Sequence, residues 1–463
     1  MARPTSPDAA APDQPWKRPG SARYAMARLR GFLHSPADVY APAPGSVAIE
    51  NGIPVTTRDG TVLRTNVYRP PGAGPFPVLL CAHPYGKDNL PEKKRGRGYS
   101  VSQQYRVLRQ PSSLRFSSLT GWEAPDPVWW TAHGYVVVNC DLRGAGRSDG
   151  VCSLLSDQEG EDVYDLIEWA GQQPWSTGAV GMIGVSYLAI SQWKAAALRL
   201  PHLKAIVPWE GFTDVYRDVA RPGGIREIGF LKIWSRGLKA ARLKYSLGEE
   251  NTKRPLRDEW WQALVPDLPR IEVPALICGS FSDNNLHSRG SVRGFEQIAS
   301  PDRHLYTHRG GKWTTFYSES ALGTQLAFLN RHLREIPGEP LPRVRLEVRE
   351  DATASSTFAT NPAGRPRRPF GRHCTWPTPA YAPHPPNNRD PSHSTPVPAE
   401  HVSAGHCPRT PKSPDRCRCG CSSKPRAATT WTCSSASKSG EAERMCRSKA
   451  LTDSDVIGSP AAG

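Results

Sequence analysis

The chain has 463 residues with a formal net charge of +16, and hydrophobic residues make up 38% of it. This length suffices for two or three domains with substantial cores, and the longest apolar runs are too short to cross a membrane. The N-terminal twenty residues contain no apolar segment of the kind found in secretory signals. The composition therefore fits a cytoplasmic enzyme and excludes a membrane protein, a coiled coil and a collagen-like chain.

The first segment, residues 1–45, is rich in proline and alanine and resembles a linker. Within it, residues 21–33 have the pattern of one short basic helix. Organellar transit peptides are usually poor in acidic residues, so Asp8, Asp13 and Asp38 argue against one here.

Between residues 46 and 340, short apolar segments alternate with helical patterns. The predicted core strands are 77–82, 135–140, 180–185, 205–208 and 275–279, and helices are predicted at 160–172 and 190–200. Strands that are apolar almost throughout are typical of a parallel sheet buried on both faces. The alternation predicts an α/β fold with a doubly wound, mostly parallel sheet. An Arg58-Asp59-Gly60 turn predicts a hairpin that forms an antiparallel edge.

Residues 209–272 interrupt this alternation between two core strands. They are aromatic and helical in character, which predicts a helical cap inserted between the core segments 46–208 and 273–340. Open α/β sheets bind ligands at the carboxyl ends of their strands, so the cap is expected to lie over that edge.

The segment from Gly184 to Ala189 has the pattern G-x-S-x-x-A at the end of a predicted strand and the start of a predicted helix. It matches a nucleophile elbow in which alanine serves as the small residue after the serine. The sharp turn requires small residues two positions before and three positions after the nucleophile. Ser186 is the predicted nucleophile, and the alternative is a tight turn in which this serine merely caps the helix.

A serine hydroxyl needs a base to take its proton and a carboxylate to orient that base. In this fold the chain order is serine, acid, histidine. Asp283 follows a late strand and is the predicted acid, and His308 ends the next β-like run and is the predicted base. Asp302, His304 and His287 are alternatives. Asp302 follows Ser-Pro in a turn, His304 begins its strand, and His287 lies in the first turn of a predicted helix.

The C-terminal quarter has a different composition. A β domain is predicted to begin at residue 341, but its alternating pattern stops at residue 350. Residues 351–463 are poor in large apolar side chains, which predicts a disordered basic tail. Seven of the eleven cysteines lie there: Cys374, Cys407, Cys417, Cys419, Cys421, Cys433 and Cys446.

Two hypotheses account for this tail. In the first, a reading-frame change in a GC-rich gene interrupts the β domain and replaces the rest of it with an unrelated sequence. In the second, the tail is a natural basic segment rich in proline and serine. The cluster Cys417-x-Cys419-x-Cys421 lacks a second ligand pair at zinc-site spacing, so no metal or other cofactor is predicted. The basic excess is accompanied by no recognition motif, and no nucleic-acid partner is predicted either.

Several motifs together resemble the cocaine-esterase / X-Pro dipeptidyl-peptidase-like family of serine hydrolases. The residues that carry the resemblance are 57–61, 84–88, 141–148, Pro174-Trp175, 184–193 and 273–276. The resemblance implies an α/β-hydrolase domain, a helical cap and a C-terminal jelly roll. It also implies that Tyr85 donates its hydroxyl to the reaction's oxyanion beside the backbone amide of Tyr187.

Three departures from the family pattern stand out. The jelly roll is missing after its first strand. The acid region reads Ser-Phe-Ser-Asp-Asn-Asn where many relatives have Trp-Tyr-Asp-Gly, and the histidine region reads Tyr-Thr-His-Arg-Gly-Gly-Lys-Trp where relatives have Pro-Trp-Ser-His. The triad survives these changes, but the substrate pocket is expected to differ.

The sequence therefore predicts a hydrolase that cleaves a small carboxylic ester or short peptide through an acyl-enzyme, with a triad of Ser186, His308 and Asp283. Trp209 and Glu210 are predicted to contribute to substrate binding, Glu210 as an acidic partner for a free α-amine. For these two residues, the alternative is that Trp209-Glu210-Gly211 forms only a hinge of the cap. The alternative is a truncated or damaged family member that acts at most as a binding protein.

Overall fold

The computed structural model of the chain describes residues 37–96, 98–102, 104–107, 113–281, 283, 286–349 and 355–361. The described strands are β1 (Ala37–Tyr40), β2 (Ala48–Thr56), β3 (Val62–Arg69), β4 (Phe76–His83), β5 (Leu114–Ser117), β6 (Val136–Asp141), β7 (Ser176–Val185), β8 (Leu203–Trp209), β9 (Ala275–Ser280), β10 (Arg303–His308), β11 (Val344–Arg349) and β12 (Ser355–Asn361).

The α-helices among these residues are α1 (Gln104–Val107), α2 (Pro127–Ala132), α3 (Asp157–Gly171), α4 (Tyr187–Ala196), α5 (Phe230–Gly237), α6 (Leu247–Lys253), α7 (Glu259–Ala263), α8 (Ser288–Gln297), α9 (Lys312–Phe316) and α10 (Glu319–Leu333). None of the described helices is long and apolar enough to span a bilayer.

Ten strands form one sheet in the order β12-β11-β10-β9-β8-β7-β4-β6-β3-β2. The strands from β11 to β6 run parallel, and β2, β3 and β12 pair antiparallel at the two margins. A separate pair is formed by β1 and β5. The predicted α/β fold with a doubly wound, mostly parallel sheet and an antiparallel hairpin at one edge is confirmed.

Hydrophobic cores cover both faces of the sheet, because successive side chains of a buried strand point to opposite sides. In β7, Val180 and Met182 pack on one side with α3 and α4, whereas Ile183 and Val185 pack on the other side with α10. Both cores are almost completely shielded from solvent. The rigid sheet between them fixes where each strand ends.

The segment between β8 and β9 contains short helical turns and α5, α6 and α7. Two isolated bridges, Ala145↔Ala241 and Cys152↔Leu243, attach it to the loop after β6. Trp234 of α5 stacks on Tyr187 with ring centroids 5.8 Å apart. The inserted segment therefore covers the end of the sheet from which α4 begins, where the cap was predicted.

The described residues bear on the two ends of the chain only in part. The segment predicted to resemble a linker contains β1. The strand Val344–Arg349, where a β domain was predicted to begin, pairs with β10 in the main sheet. It is followed by β12, a strand that the composition of the tail did not predict. The helix expected at 21–33, the tail cysteines and any continuation of a jelly roll lie outside the described residues.

The core packing yields a stability prediction. Leu166 of α3 is fully buried, whereas Leu256 of the cap segment is 76% exposed. Leu166→Ala is expected to lower the free energy of unfolding by about 2–5 kcal/mol because it leaves a cavity. Leu256→Ala, the matched control, should change it by less than about 0.5 kcal/mol. Denaturant titration measures both, and equal effects would contradict the assigned packing.

Candidate active site

Ser186 lies in a strained turn between β7 and α4. Its backbone has φ +59° and ψ −114°, in a region that residues with a side chain rarely adopt. Its N–H donates to the carbonyl of Trp209 at 3.0 Å, which ties the turn to the neighbouring strand. The side chain is half-buried at the carboxyl edge of the sheet. This is the nucleophile-elbow conformation that the sequence predicts.

Small neighbours allow the turn to pack. A Cβ on Gly184 would lie 2.4 Å from the Cβ of Leu188, which real atoms do not tolerate. A Cβ on Gly211 would lie 2.8 Å from the Cβ of Ala189, so the alanine of the motif already fills its space. A larger residue at either motif position would push α4 away from the strands.

The histidine next to Ser186 is His287. Its Nε2 lies 3.2 Å from Ser186 Oγ, and its Nδ1 lies 2.9 Å from Asp283 Oδ2. The backbone N–H of His287 also donates to the same carboxylate oxygen. If Nδ1–H donates to the aspartate, Nε2 is left to accept the serine proton. Serine, histidine and aspartate thus form one hydrogen-bonded chain.

The predicted base, His308, requires correction. Its Nε2 lies 2.8 Å from Glu210 Oε1 and its Nδ1 lies 3.2 Å from Thr315 Oγ1. Both ring nitrogens are therefore engaged away from Ser186. The reason is the direction of the side chain: His308 still belongs to β10 and faces the end of β8, whereas His287 enters the site from the turn before α8.

Trp209 and Glu210 also differ from their predicted role. Trp209 is fully buried and packs against Tyr306, with centroids 5.0 Å apart. Glu210 is fully buried as well, and its carboxylate is already engaged by His308. The structure therefore presents neither side chain to a substrate, and neither is kept as a binding residue.

The two residues expected to stabilise an oxyanion lie beside Ser186. The Tyr85 hydroxyl accepts a hydrogen bond from Trp234 Nε1 at 3.4 Å and interacts with Ser186. Burial, followed by the charge of Glu123, raises the pKa of Tyr85 well above its usual value, so the phenol keeps its proton. The Tyr187 N–H has no acceptor within α4 because it belongs to the first turn. The Tyr187 side chain points away and donates to Glu159 Oε2 at 2.6 Å.

A cavity of about 440 Å³ opens next to Tyr85. The rings of Tyr105, Phe116 and Trp122 contribute to its wall, together with cap residues 237–240. Its mixed aromatic and polar lining is typical of a small-molecule site. Tyr85, which lines this cavity, also interacts with Ser186, and so it links the cavity to the serine.

Lys312, at the start of α9, was not predicted as a site residue. Its Nζ lies 3.1 Å from Asp283 Oδ1, 3.1 Å from His287 Nδ1 and 3.8 Å from Glu210 Oε2. Burial alone would lower the pKa of Lys312, but the charges of Asp283, Glu210 and Glu123 raise it, so the group stays an ammonium.

The charges around the dyad set its protonation. Burial favours a raised pKa for Asp283, yet His287 and Lys312 together hold that pKa below the usual range. Burial is the largest influence on His287 and lowers its pKa, Asp283 opposes that, and Lys312 adds to the lowering. The arrangement favours an ionised aspartate beside a neutral imidazole, the state in which the imidazole can accept a proton.

Glu123 is a second unpredicted residue. It has φ +62°, is 3% exposed, and accepts a hydrogen bond from Trp313 Nε1 at 3.2 Å through Oε1. Burial raises its pKa to about 7, and the nearby cation Lys312 and the Ser186 hydroxyl only partly offset this. Two successive residues at the start of α9 therefore reach buried carboxyl groups of the site: Lys312 contacts Asp283, and Trp313 donates to Glu123.

The fold and this chain of polar groups define an α/β-hydrolase with a serine at its elbow. The model of the X-Pro dipeptidyl-peptidase (S15 family) matches residues 59–312, more than half of the chain. The chain belongs to that family, and the resemblance noted in the sequence is confirmed.

Individual relatives agree with this assignment. The chain is 32% identical to cocaine esterase of Rhodococcus sp. over 41% of its own length and 29% of that enzyme. It is 23% identical to Xaa-Pro dipeptidyl-peptidase of Lacticaseibacillus casei over 55% of its length and 40% of that enzyme. The chain thus matches between a quarter and two fifths of these curated relatives.

Among solved structures, a CocE/NonD family hydrolase from Staphylococcus aureus superposes with a TM-score of 0.63. It is 38% identical, and the match covers 69% of this chain and 56% of that one. This likeness supports the α/β-hydrolase fold.

The buried carboxyl of Glu123 generates a prediction about pH and stability. A folded-state pKa near 7, above the unfolded value of about 4.3, means that the folded chain binds the proton more tightly. Its contribution to stability is complete below about pH 4 and is lost as the pH rises toward 7. Glutamine cannot titrate, so Glu123→Gln does not lose this contribution as the pH rises. The free energy of unfolding of the variant minus that of the wild type should therefore increase by up to about 1.4 kcal/mol per pH unit between pH 5 and 7.

Denaturant titrations at several pH values measure this difference. Glu249→Gln serves as control because that side chain is 70% exposed, and it should run parallel to the wild type. A pH-independent difference for Glu123→Gln would show that this carboxyl does not titrate in that range.

Proposed function

We propose that the protein is a serine hydrolase that cleaves a carboxylic ester or amide through an acyl-enzyme. The observation that carries the proposal is the continuous chain Ser186 Oγ–His287 Nε2 and His287 Nδ1–Asp283 Oδ2 at an elbow turn. The family supports it, since the relatives described above are named esterases and peptidases. The same chain disfavours the alternative of a non-catalytic binding protein.

In the proposed first step, Ser186 Oγ attacks the carbonyl carbon of the substrate while its proton passes to His287 Nε2. Asp283 stays ionised and stabilises the imidazolium through Nδ1–H. The tetrahedral oxygen receives hydrogen bonds from the Tyr85 hydroxyl and the Tyr187 amide. His287 then returns the proton to the leaving alcohol or amine, and the acyl group remains on the serine.

In the second step, His287 takes a proton from water, whose oxygen attacks the acyl carbon. The second tetrahedral intermediate uses the same two donors. It collapses to a carboxylic acid as the bond to Ser186 Oγ breaks, and His287 returns the proton to that oxygen. The chain's own residues supply the nucleophile, the base and the hydrogen-bond donors. The cavity beside Tyr85 is proposed to hold one of the two halves of a small ester or short peptide.

The two histidines provide the discriminating mutagenesis experiment. Ser186→Ala and His287→Ala are each expected to lower kcat on a p-nitrophenyl ester by about four to six orders of magnitude. His308→Ala, the matched control, is expected to lower it by about tenfold or less, because its imidazole bonds to Glu210 rather than to the nucleophile. Labelling by a fluorophosphonate probe should be lost in the first two variants and kept in the third. A severe loss in His308→Ala with near-normal His287→Ala would assign the base to His308.

The pH profile provides an independent check. Because burial and Lys312 depress the pKa of His287, the base stays neutral to a lower pH than an exposed histidine. The acidic limb of kcat/KM, which reports the free enzyme, should have its midpoint below about 6.5. Initial rates on an ester without titratable groups measure it, and a midpoint above 7 would be incompatible with this environment.

A further inference from the structure

The ammonium of Lys312 occupies a position that the hydrolytic mechanism does not require. Its Nζ lies 3.1 Å from Asp283 on one side and 3.1 Å from the Nδ1 edge of His287 on the other. Asp283 presents two oxygens: Oδ2 contacts the imidazole, and Oδ1 contacts the lysine. The lysine is thus close to both members of the dyad without contacting the nucleophile.

The surroundings explain why a cation is buried here. The carboxyl groups of Asp283, Glu210 and Glu123 all act on Lys312, and all three are at least nine-tenths buried. A buried carboxylate is stable only if it is paired. Lys312 therefore neutralises part of the negative charge of these carboxylates, which would otherwise favour protonation of the His287 imidazole.

The other groups that face His287 have different effects. Phe212 stacks on the imidazole with an interplanar angle of 9° and centroids 5.9 Å apart, which excludes water from that face. Ser186 approaches Nε2. Asp283 and Glu210 favour the protonated ring, and Lys312 opposes them. Burial is the largest influence on the pKa of the ring and lowers it, and the three charges add to or oppose that effect.

We propose that Lys312 is a positioning residue that fixes Asp283 against His287 and keeps the imidazole unprotonated in the resting enzyme, so that hydrolysis extends to acidic pH. The inference rests on the proposed function, since it concerns the base of that reaction. This role of Lys312 would explain why the histidine region of this chain, with Arg-Gly-Gly-Lys-Trp, differs from the family pattern. The two glycines bring the chain from the end of β10 to α9 in a few residues, which delivers Lys312 to the dyad.

The test compares kcat/KM profiles against pH for wild type, Lys312→Met and Lys312→Arg on the same ester. A charge this close changes a pKa by about one to three units. The acidic limb of Lys312→Met is therefore expected to move up by about one pH unit or more. For a shift of one unit, the loss of kcat/KM is about fivefold at the wild-type midpoint, approaches tenfold below it and vanishes at high pH. Lys312→Arg, which keeps the charge, should return the limb toward its wild-type position.

Lys194→Met is the matched control, because that lysine is also mostly buried but pairs with Asp157, away from the dyad. Its acidic limb should not move. If Lys312→Met does not fold, Lys312→Met/Glu210→Gln removes one charge of each sign. The midpoint of the acidic limb of this double variant should still lie at a higher pH than that of the wild type.

The outcomes separate this inference from the proposed function. If the wild type shows no Ser186-dependent hydrolysis, the proposed function fails. If hydrolysis depends on Ser186 but the limb of folded Lys312→Met coincides with that of the wild type, the role of Lys312 is refuted. A uniform loss at every pH with an unmoved limb also refutes it, because that result indicates a merely structural contact.

Discussion

The left-handed backbone at Ser186 is the constraint on which the arrangement around it depends. A non-glycine residue adopts this conformation only when its surroundings hold it there. Here the hydrogen bond from its N–H to β8, the absence of a side chain at Gly184 and the close approach of Gly211 to Ala189 provide that support. The sheet and α4 are locked together, and a hydroxyl is left at their junction.

Around that hydroxyl the chain buries charge of both signs. Such burial is costly unless each group finds a partner, and the pairs here are supplied by segments far apart in sequence. Glu210 follows the end of β8, Asp283 follows the end of β9, and Lys312 begins α9 shortly after β10. Because adjacent parallel strands end at the same edge, these groups converge without any long connecting loop.

Much of the fold follows from simple sequence patterns. The apolar runs predicted the central strands to within a few residues, and the small residues flanking Ser186 predicted the elbow, because both depend on local requirements of packing. The edge strand β12 was missed, since its sequence has no clear apolar alternation. The strand β1 was also missed, because it is short and pairs with β5 outside the main sheet.

The site was predictable only in part. Asp283 could be identified because an acid at a strand's carboxyl end is local information. The choice between His287 and His308 depends on side-chain direction, which neither spacing nor chain order encodes. Glu123 and Lys312 carry no motif, and their importance appears only when the tertiary structure brings them to Ser186. The run Gly310-Gly311-Lys312-Trp313 was the available signal, since it replaced a family pattern with residues of different chemistry.

The pairing of β11 with β10 has a consequence for association between molecules. A terminal parallel strand presents a row of unpaired backbone amides and carbonyls that can recruit a strand from another copy. Here β11 occupies that position on β10 in parallel register, and β12 extends the sheet once more. The stretch after α10 therefore covers the edge of β10, the strand that precedes Lys312, and transfers the open margin of the sheet to β12.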